Sequence, residues 1–190
     1  MKVLLLVILV LVGGGAYLYS AATTQDHPLP PVQLSGAATL SAEGKLGRLV
    51  AAEALARAAR RPIPVSISLT DAEISSLVNQ RLADSGERQA DHLVLHATGA
   101  GTLEGTADGH VNGWTFPIYV EGIVSIEAGQ PRLQVQTAQI GRLPMPGPLQ
   151  QRVQSLIRRN LNLGRTLSGL SDLHARLAGN SLTLSGVARP

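Results

Sequence analysis

The histidines are the residues of this 190-residue chain best suited to metal binding or proton transfer. His92 and His96 form an H-x-x-x-H pair, which on a helix would place two metal ligands together. Their segment, DHLVLHAT, instead alternates as a strand does, so the two side chains are expected about 13 Å apart on one face. We therefore expect no shared metal site at this pair, and no metal or cofactor elsewhere. The other histidines are His27, His110 and His174.

Asp71 and Glu73 could be read as paired carboxylates for general acid–base catalysis. However, Thr70 and Glu73 have the spacing of a capping box at the start of a helix. Acids in a first helical turn also interact favourably with the helix dipole, so a structural role explains both residues. The chain has no cysteine, no serine lies in a nucleophile elbow, and GAGTLEG opens no helix as a phosphate-binding loop would. These observations predict a protein that is not an enzyme.

The N-terminal segment MKVLLLVILVLVGGGAYLYSAA contains 20 consecutive uncharged residues, 3–22. As a helix they would extend about 30 Å, enough to cross a bilayer. A cleaved signal peptide is the alternative, with Ser20 and Ala22 as the small residues of a cleavage site. Both interpretations leave the N-terminus in the cytoplasm and export the rest. We expect a single-pass anchor at 1–22 in the cell membrane and an extracytoplasmic bulk.

Composition and periodicity divide the remainder into a proline-rich linker, 23–40, and an extracytoplasmic domain, 41–190. Ser41 is the expected N-cap of an alanine-rich helix that ends before Pro62. A strand longer than usual starts at Trp114 and is expected to bend at Gly122. The expected elements are helices at 42–60, 70–84 and 148–163, strands at 62–69, 91–98, 102–108, 114–126 and 132–140, and a C-terminal hairpin that turns at Gly179-Asn180.

Hairpin-linked strands and segregated helices predict an α+β fold. In detail, we expect a curved antiparallel sheet wrapped against amphipathic helices, preceded by the transmembrane helix. Between sheet and helices we expect an apolar, elongated interior. The residues expected to line this core or cavity are Ile74, Leu77, Val78, Trp114, Phe116, Leu143, Met145, Val153, Leu156 and Ile157.

The charge of the chain is unevenly distributed. Residues 1–131 have a net charge of −4, whereas residues 132–190 hold eight arginines against the single acid Asp172. Such a basic segment favours anionic partners, and a solvated basic face is the simpler alternative. Nucleic acid is not an expected partner, because stacking aromatics are absent and the domain is exported. The arginines expected to face lipid headgroups are Arg81, Arg142, Arg152, Arg158 and Arg159.

Four segments together carry a resemblance to a known family. VSISLTDAEISSLVNQRL (65–82), GTLEGTADG (101–109), IGRLPMPGPL (140–149) and NSLTLSGVA (180–188) resemble the small bacterial membrane-anchored relatives of the tubular lipid-binding (TULIP) superfamily, including the YpmS-type and LmeA-type proteins. The resemblance implies an antiparallel sheet wrapped on a helix, export and the binding or movement of an envelope lipid, without catalytic residues.

Two functions therefore stay open. The first is a membrane-tethered extracytoplasmic domain that binds or handles lipid, with anionic lipid as partner. The second is a structural or accessory subunit of a cell-envelope protein complex, with a filled core and an envelope protein as partner. A cavity of more than a few hundred Å³ beside Ile74 and Leu156 would favour the first function.

Overall fold

The computed structural model describes residues 17–86, 90–111, 113–127, 130–160 and 169–190. Residues 17–23 are helical. The helices that follow are α1 (Gly36–Ala59), α2 (Asp71–Asp84) and α3 (Gly147–Asn160). The strands are β1 (Ile63–Thr70), β2 (Ala90–Ala97), β3 (Thr102–Val111), β4 (Trp114–Glu127), β5 (Gln130–Ile140), β6 (Leu143–Pro144), β7 (Leu170–Leu177) and β8 (Ser181–Ala188).

The strands form two antiparallel sheets, which confirms the expected α+β class. One sheet has five strands in the order β2-β3-β4-β5-β6, so each strand pairs with its neighbour in sequence. The other has three strands in the order β1-β8-β7. Its central strand pairs with β1 along the whole length, from Ile63↔Ala188 to Thr70↔Ser181. The C-terminal hairpin therefore returns to the first strand of the domain.

Helix α1 begins earlier than the sequence predicts. Its N-cap is Ser35, whose side chain accepts a hydrogen bond from the Ala38 N–H, so the expected N-cap at Ser41 is wrong. Both serines suit an N-cap. However, the alanines between them are strong helix formers, which lets the helix start at the first serine. Ser41 lies inside α1 and donates a hydrogen bond to Glu73 instead.

The main core lies between the three-stranded sheet, α1, α2 and the first two strands of the five-stranded sheet. Leu49 of α1 and Leu184 of β8 are fully buried there, and Ile74 and Leu77 of α2 pack in the same cluster. A second, smaller cluster comprises Val120, Ala138 and Met145, under the five-stranded sheet. The inward-facing side chains of the sheets are mostly leucine, valine and alanine, as the scarcity of aromatic residues requires.

The expected irregularity at Gly122 is confirmed. The register between β4 and β5 shifts between Glu121 and Gly122. A side chain at Gly122 would meet the backbone of Gln134, so this close approach of two strands requires glycine.

Strand pairing continues beyond β5, although prolines follow that strand. Leu143 and Pro144 form the edge strand β6, in register with Ile140 and Gln139. Pairing then continues, because the N–H of Met145 donates to the Ala138 carbonyl oxygen at 2.9 Å. A proline is compatible with an edge strand when its nitrogen lies on the unpaired side.

Candidate functional site

The five-stranded sheet carries unusually small side chains on the inner face of β3. Leu103, Gly105, Ala107 and Gly109 alternate toward the interior along this strand, and all four are buried. The two glycines and the alanine fill little volume. A space remains beside Leu103, Gly105 and Ala107, between β3 and the helices that cover the sheet. The Ile118 side chain fills the space beside Gly109.

This space is an apolar pocket of about 110 Å³ that is partly open to solvent. Helix α2 contributes Val78 and Leu82 to its walls, and helix α3 contributes Val153. Thr106 is the one lining residue whose side chain carries a polar group. The strand residues that line the pocket are Ala90, Leu93, Leu95, Leu103, Gly105, Thr106, Ala107, Ile118, Val120 and Leu133.

The size and lining of the pocket define what it can hold. An engineered apolar cavity of about 150 Å³ stays free of water and binds benzene. A volume of 110 Å³ therefore has room for a short stretch of hydrocarbon. It is smaller than the few hundred Å³ that characterise a site for a whole drug-sized ligand.

The residues expected to line the interior lie in different places. Val78 and Val153 line the pocket, whereas Ile74 and Leu77 are buried in the main core and do not. Met145 is buried in the second cluster. Three more of the expected lining residues have described side chains. Leu143 and Phe116 are half-buried, whereas Trp114 lies outside the core with 54% of its surface exposed.

The arginines expected to contact lipid headgroups are only partly described. Arg81 is half-buried in the last turn of α2. The Arg142 Nε lies 2.9 Å from the Asp26 Oδ1 in an exposed ion pair. The side chains of Arg152, Leu156, Ile157, Arg158 and Arg159 lie outside the described residues.

The segment before α1 packs on the five-stranded sheet, a contact that the sequence does not predict. Ala21 is buried, and its carbonyl oxygen accepts a hydrogen bond from the Arg142 N–H at 2.7 Å. The Tyr19 ring meets Trp114 edge-on, with centroids 5.5 Å apart. Farther along, the His27 ring stacks on Tyr119 at 4.2 Å. Residues 19–27 thus contact β4 at its first residue, Trp114, and again at Tyr119.

Glu73 connects α1 to the start of α2. The backbone N–H of Thr70 donates to the Glu73 Oε2 at 2.8 Å, which confirms the capping box. The same carboxylate accepts hydrogen bonds from the Lys45 ammonium at 2.7 Å and from the Ser41 hydroxyl at 2.5 Å. Burial alone would raise the pKa of Glu73, but these donors together lower it to about 2. A carboxylate this well paired serves the fold rather than proton transfer.

Asp71 also has a structural role. Its Oδ2 lies 2.6 Å from the His96 Nδ1, and its Oδ1 accepts a hydrogen bond from the Ala97 N–H at 2.9 Å. Its own N–H donates to the carbonyl oxygen of Asn180. Asp71 therefore ties the start of α2 to the end of β2 and to the β7–β8 turn. The two carboxylates have separate partners, and neither faces the pocket.

No protein-family model matches the chain, and comparison with curated proteins and with solved structures gives no significant match. Among the described residues, no helix combines the length and the apolar character that a membrane span requires. Residues 1–16, which hold most of the expected anchor, lie outside the described ranges. The pocket is therefore the feature from which a function can be argued.

Proposed function

We propose that this protein is a membrane-tethered, extracytoplasmic domain that binds lipid without catalysing a reaction. The anchor at 1–22 holds it at the membrane, and the pocket between β3, α2 and α3 takes part of an acyl chain. In this proposal the five-stranded sheet curves around the pocket, and the two helices close it. This is the arrangement implied by the resemblance to the TULIP superfamily.

The lining of the pocket is the observation that carries the proposal. Its wall is hydrocarbon from both helices and four strands, with Thr106 as the polar exception. A site with such a wall offers no group to orient a polar substrate, whereas a methylene chain needs none. Each buried methylene contributes about 0.8 kcal/mol, so burying a short stretch of acyl chain would stabilise the complex by a few kcal/mol.

In this proposal, the docked segment at residues 19–27 brings the five-stranded sheet next to the anchor. Tyr19, near the end of the uncharged run 3–22, forms an exposed aromatic pair with Trp114. Aromatic residues are enriched where membrane proteins meet the membrane–water interface. Arg142 lies near the same point through its contact with Ala21. We propose that the end of the five-stranded sheet that carries Trp114 and Arg142 contacts the lipid headgroups.

A structural or accessory subunit of an envelope complex is the second candidate. The small volume of the pocket favours it, since 110 Å³ holds only part of a lipid chain. The main core is also closely filled, with Leu49 and Leu184 fully buried. In this alternative the pocket is a packing defect, and the basic C-terminal segment docks on a protein.

Native mass spectrometry distinguishes the two candidates. The domain is released from bacterial membranes at an engineered protease site ahead of residue 17, so that the docked helix is kept. We expect a lipid to co-purify with the wild type. Ala107→Leu extends a side chain into the pocket and should abolish the lipid adduct. Ala51→Leu, on the exposed face of α1, makes the same chemical change and should leave the adduct intact.

Circular dichroism of both variants checks that each is folded. A folded wild-type domain that carries no lipid would support the structural alternative. An adduct that persists equally in Ala107→Leu would place the lipid elsewhere than in this pocket.

A further inference from the structure

The outer face of the β2–β3 hairpin gathers four metal-ligating side chains away from the pocket. Asp91 on β2 stands directly opposite Asp108 on β3 in the strand register. Like charges in directly opposed positions destabilise a sheet unless a positive charge lies between them. His110 follows two residues after Asp108 and therefore lies on the same face of β3.

A β-bulge brings His92 into this group. The register of β2 and β3 shifts between Asp91 and Val94, and His92 adopts a left-handed backbone with φ of 49°. Bulges re-aim a side chain relative to strict alternation. As a result, the His92 Nδ1 lies 3.0 Å from the Asp108 Oδ2 and 3.5 Å from the Asp91 Oδ1.

Three of the donor-atom distances, 3.0, 3.5 and 3.0 Å, are close to the edge length of a metal coordination tetrahedron. Two ligands that each lie about 2.0 Å from a tetrahedral Zn²⁺ are separated by about 3.3 Å. One donor atom each from Asp91, His92 and Asp108 lie within 4.8 Å of one another. The fourth donor, the His110 Nε2, lies 3.0 Å from the Asp91 Oδ1.

His110 is also held in the orientation that a ligand needs. Its Nδ1 lies 3.1 Å from the Thr115 hydroxyl on β4, which leaves its Nε2 directed at Asp91. Metal-binding histidines commonly have their second ring nitrogen fixed by such a partner. Two imidazoles and two carboxylates form a donor set that suits Zn²⁺ and similar divalent transition metals better than Mg²⁺.

We propose that Asp91, His92, Asp108 and His110 bind one divalent transition-metal ion of the Zn²⁺ class on the outer face of the five-stranded sheet. The ion would neutralise the opposed carboxylates and fasten the open end of the β2–β3 hairpin. Its position on the exposed face gives the site a structural or regulatory role separate from the pocket.

Isothermal titration of the full-length, tag-free chain in detergent with ZnCl₂ tests the proposal, after treatment with a chelator. We expect one Zn²⁺ per chain, no binding of MgCl₂ under the same conditions, and a rise in melting temperature on adding zinc. Asp108→Asn and His110→Gln should each weaken binding about tenfold or more. His174→Gln removes an exposed histidine of β7 and should leave binding unchanged.

Comparison of the melting temperatures without zinc shows that each variant is folded. Absence of saturable binding by the folded wild type would overturn the proposal. Binding of several ions, or binding that survives both Asp108→Asn and His110→Gln, would also overturn it.

Discussion

The carbonyl oxygen of Ala21 accepts a hydrogen bond from the backbone N–H of Arg142, 2.7 Å away, across 121 positions of sequence. Gly141, the residue between β5 and this contact, has φ of 57°. A side chain there would meet the carbonyl oxygens of Ala21 and Ala22. The last residues of the proposed anchor, Ala21 and Ala22, are therefore fixed to the domain by a backbone contact that only glycine permits.

Gly141→Ala should loosen this contact. We expect the free energy of unfolding to fall by about 1–3 kcal/mol, because alanine disfavours the left-handed backbone and would collide with Ala21. Amide hydrogen exchange in residues 17–23 should accelerate. Gly99→Ala is the control, since no atom lies within 4 Å of its added carbon. Unchanged exchange in Gly141→Ala would show that the contact contributes nothing.

Trp114 reports on the proposed position of the sheet at the membrane. It is the single tryptophan of the chain, and it is 54% exposed beside Tyr19. With the full-length chain in vesicles, phospholipids brominated near the headgroup should quench its fluorescence. The domain released ahead of residue 17 should be quenched far less by the same vesicles. Equal and weak quenching in both forms would place Trp114 away from the bilayer.

Glu73 should make stability depend on pH in the acid range. Its pKa falls from 4.5 to about 2 on folding, so the unfolded chain binds more protons between these values. The stabilisation is complete above pH 4.5 and is lost as the pH falls toward 2. Glu73→Gln should cost about 1–3 kcal/mol at pH 7. It should also flatten the stability profile in this range.

Urea unfolding at several pH values measures this effect. Glu43→Gln, an exposed acid of α1, is the control and should retain the wild-type profile. If Glu73→Gln has the wild-type profile as well, the bonds with Lys45 and Ser41 do not stabilise the fold.

Local sequence signals predicted the elements well. The Thr70 capping box, the irregularity at Gly122 and the turn at Gly179-Asn180 are present. Each depends on residues close together in sequence, where capping and backbone conformation determine the outcome. The sequence does not locate the start of α1, because two serines six positions apart, Ser35 and Ser41, both suit an N-cap and propensity alone does not choose between them.

Long-range relationships could not be predicted in the same way. The pairing of β1 with β8 joins the two ends of the domain, and the docking of residues 19–27 depends on a surface that exists only after folding. Trp114 shares its alternation with core residues, yet its position as the first residue of β4 leaves it exposed. The sequence does not predict the cluster of Asp91, His92, Asp108 and His110. The bulge at His92 interrupts the regular period of two on which such a prediction would depend.

The basic C-terminal segment should determine attraction to anionic membranes. Residues 132–190 have a net charge of +7, and two of the arginines are Arg152 and Arg159. Arg152→Glu together with Arg159→Glu should weaken binding of the released domain to vesicles that contain anionic lipid. Binding to neutral vesicles should not change. A vesicle sedimentation assay measures both kinds of binding. If the double variant binds anionic vesicles as strongly as the wild type, the arginines of α3 do not contact lipid headgroups.

Photo-crosslinking with a phospholipid that carries a diazirine on one acyl chain tests the central claim most directly. In vesicles that hold the full-length chain, the account predicts crosslinks on the pocket residues of α2 and β3, around Val78 and Ala107. These crosslinks should disappear in Ala107→Leu and persist in Ala51→Leu. Crosslinks confined to residues 3–22, with none in the pocket of the wild type, would contradict lipid binding by this domain.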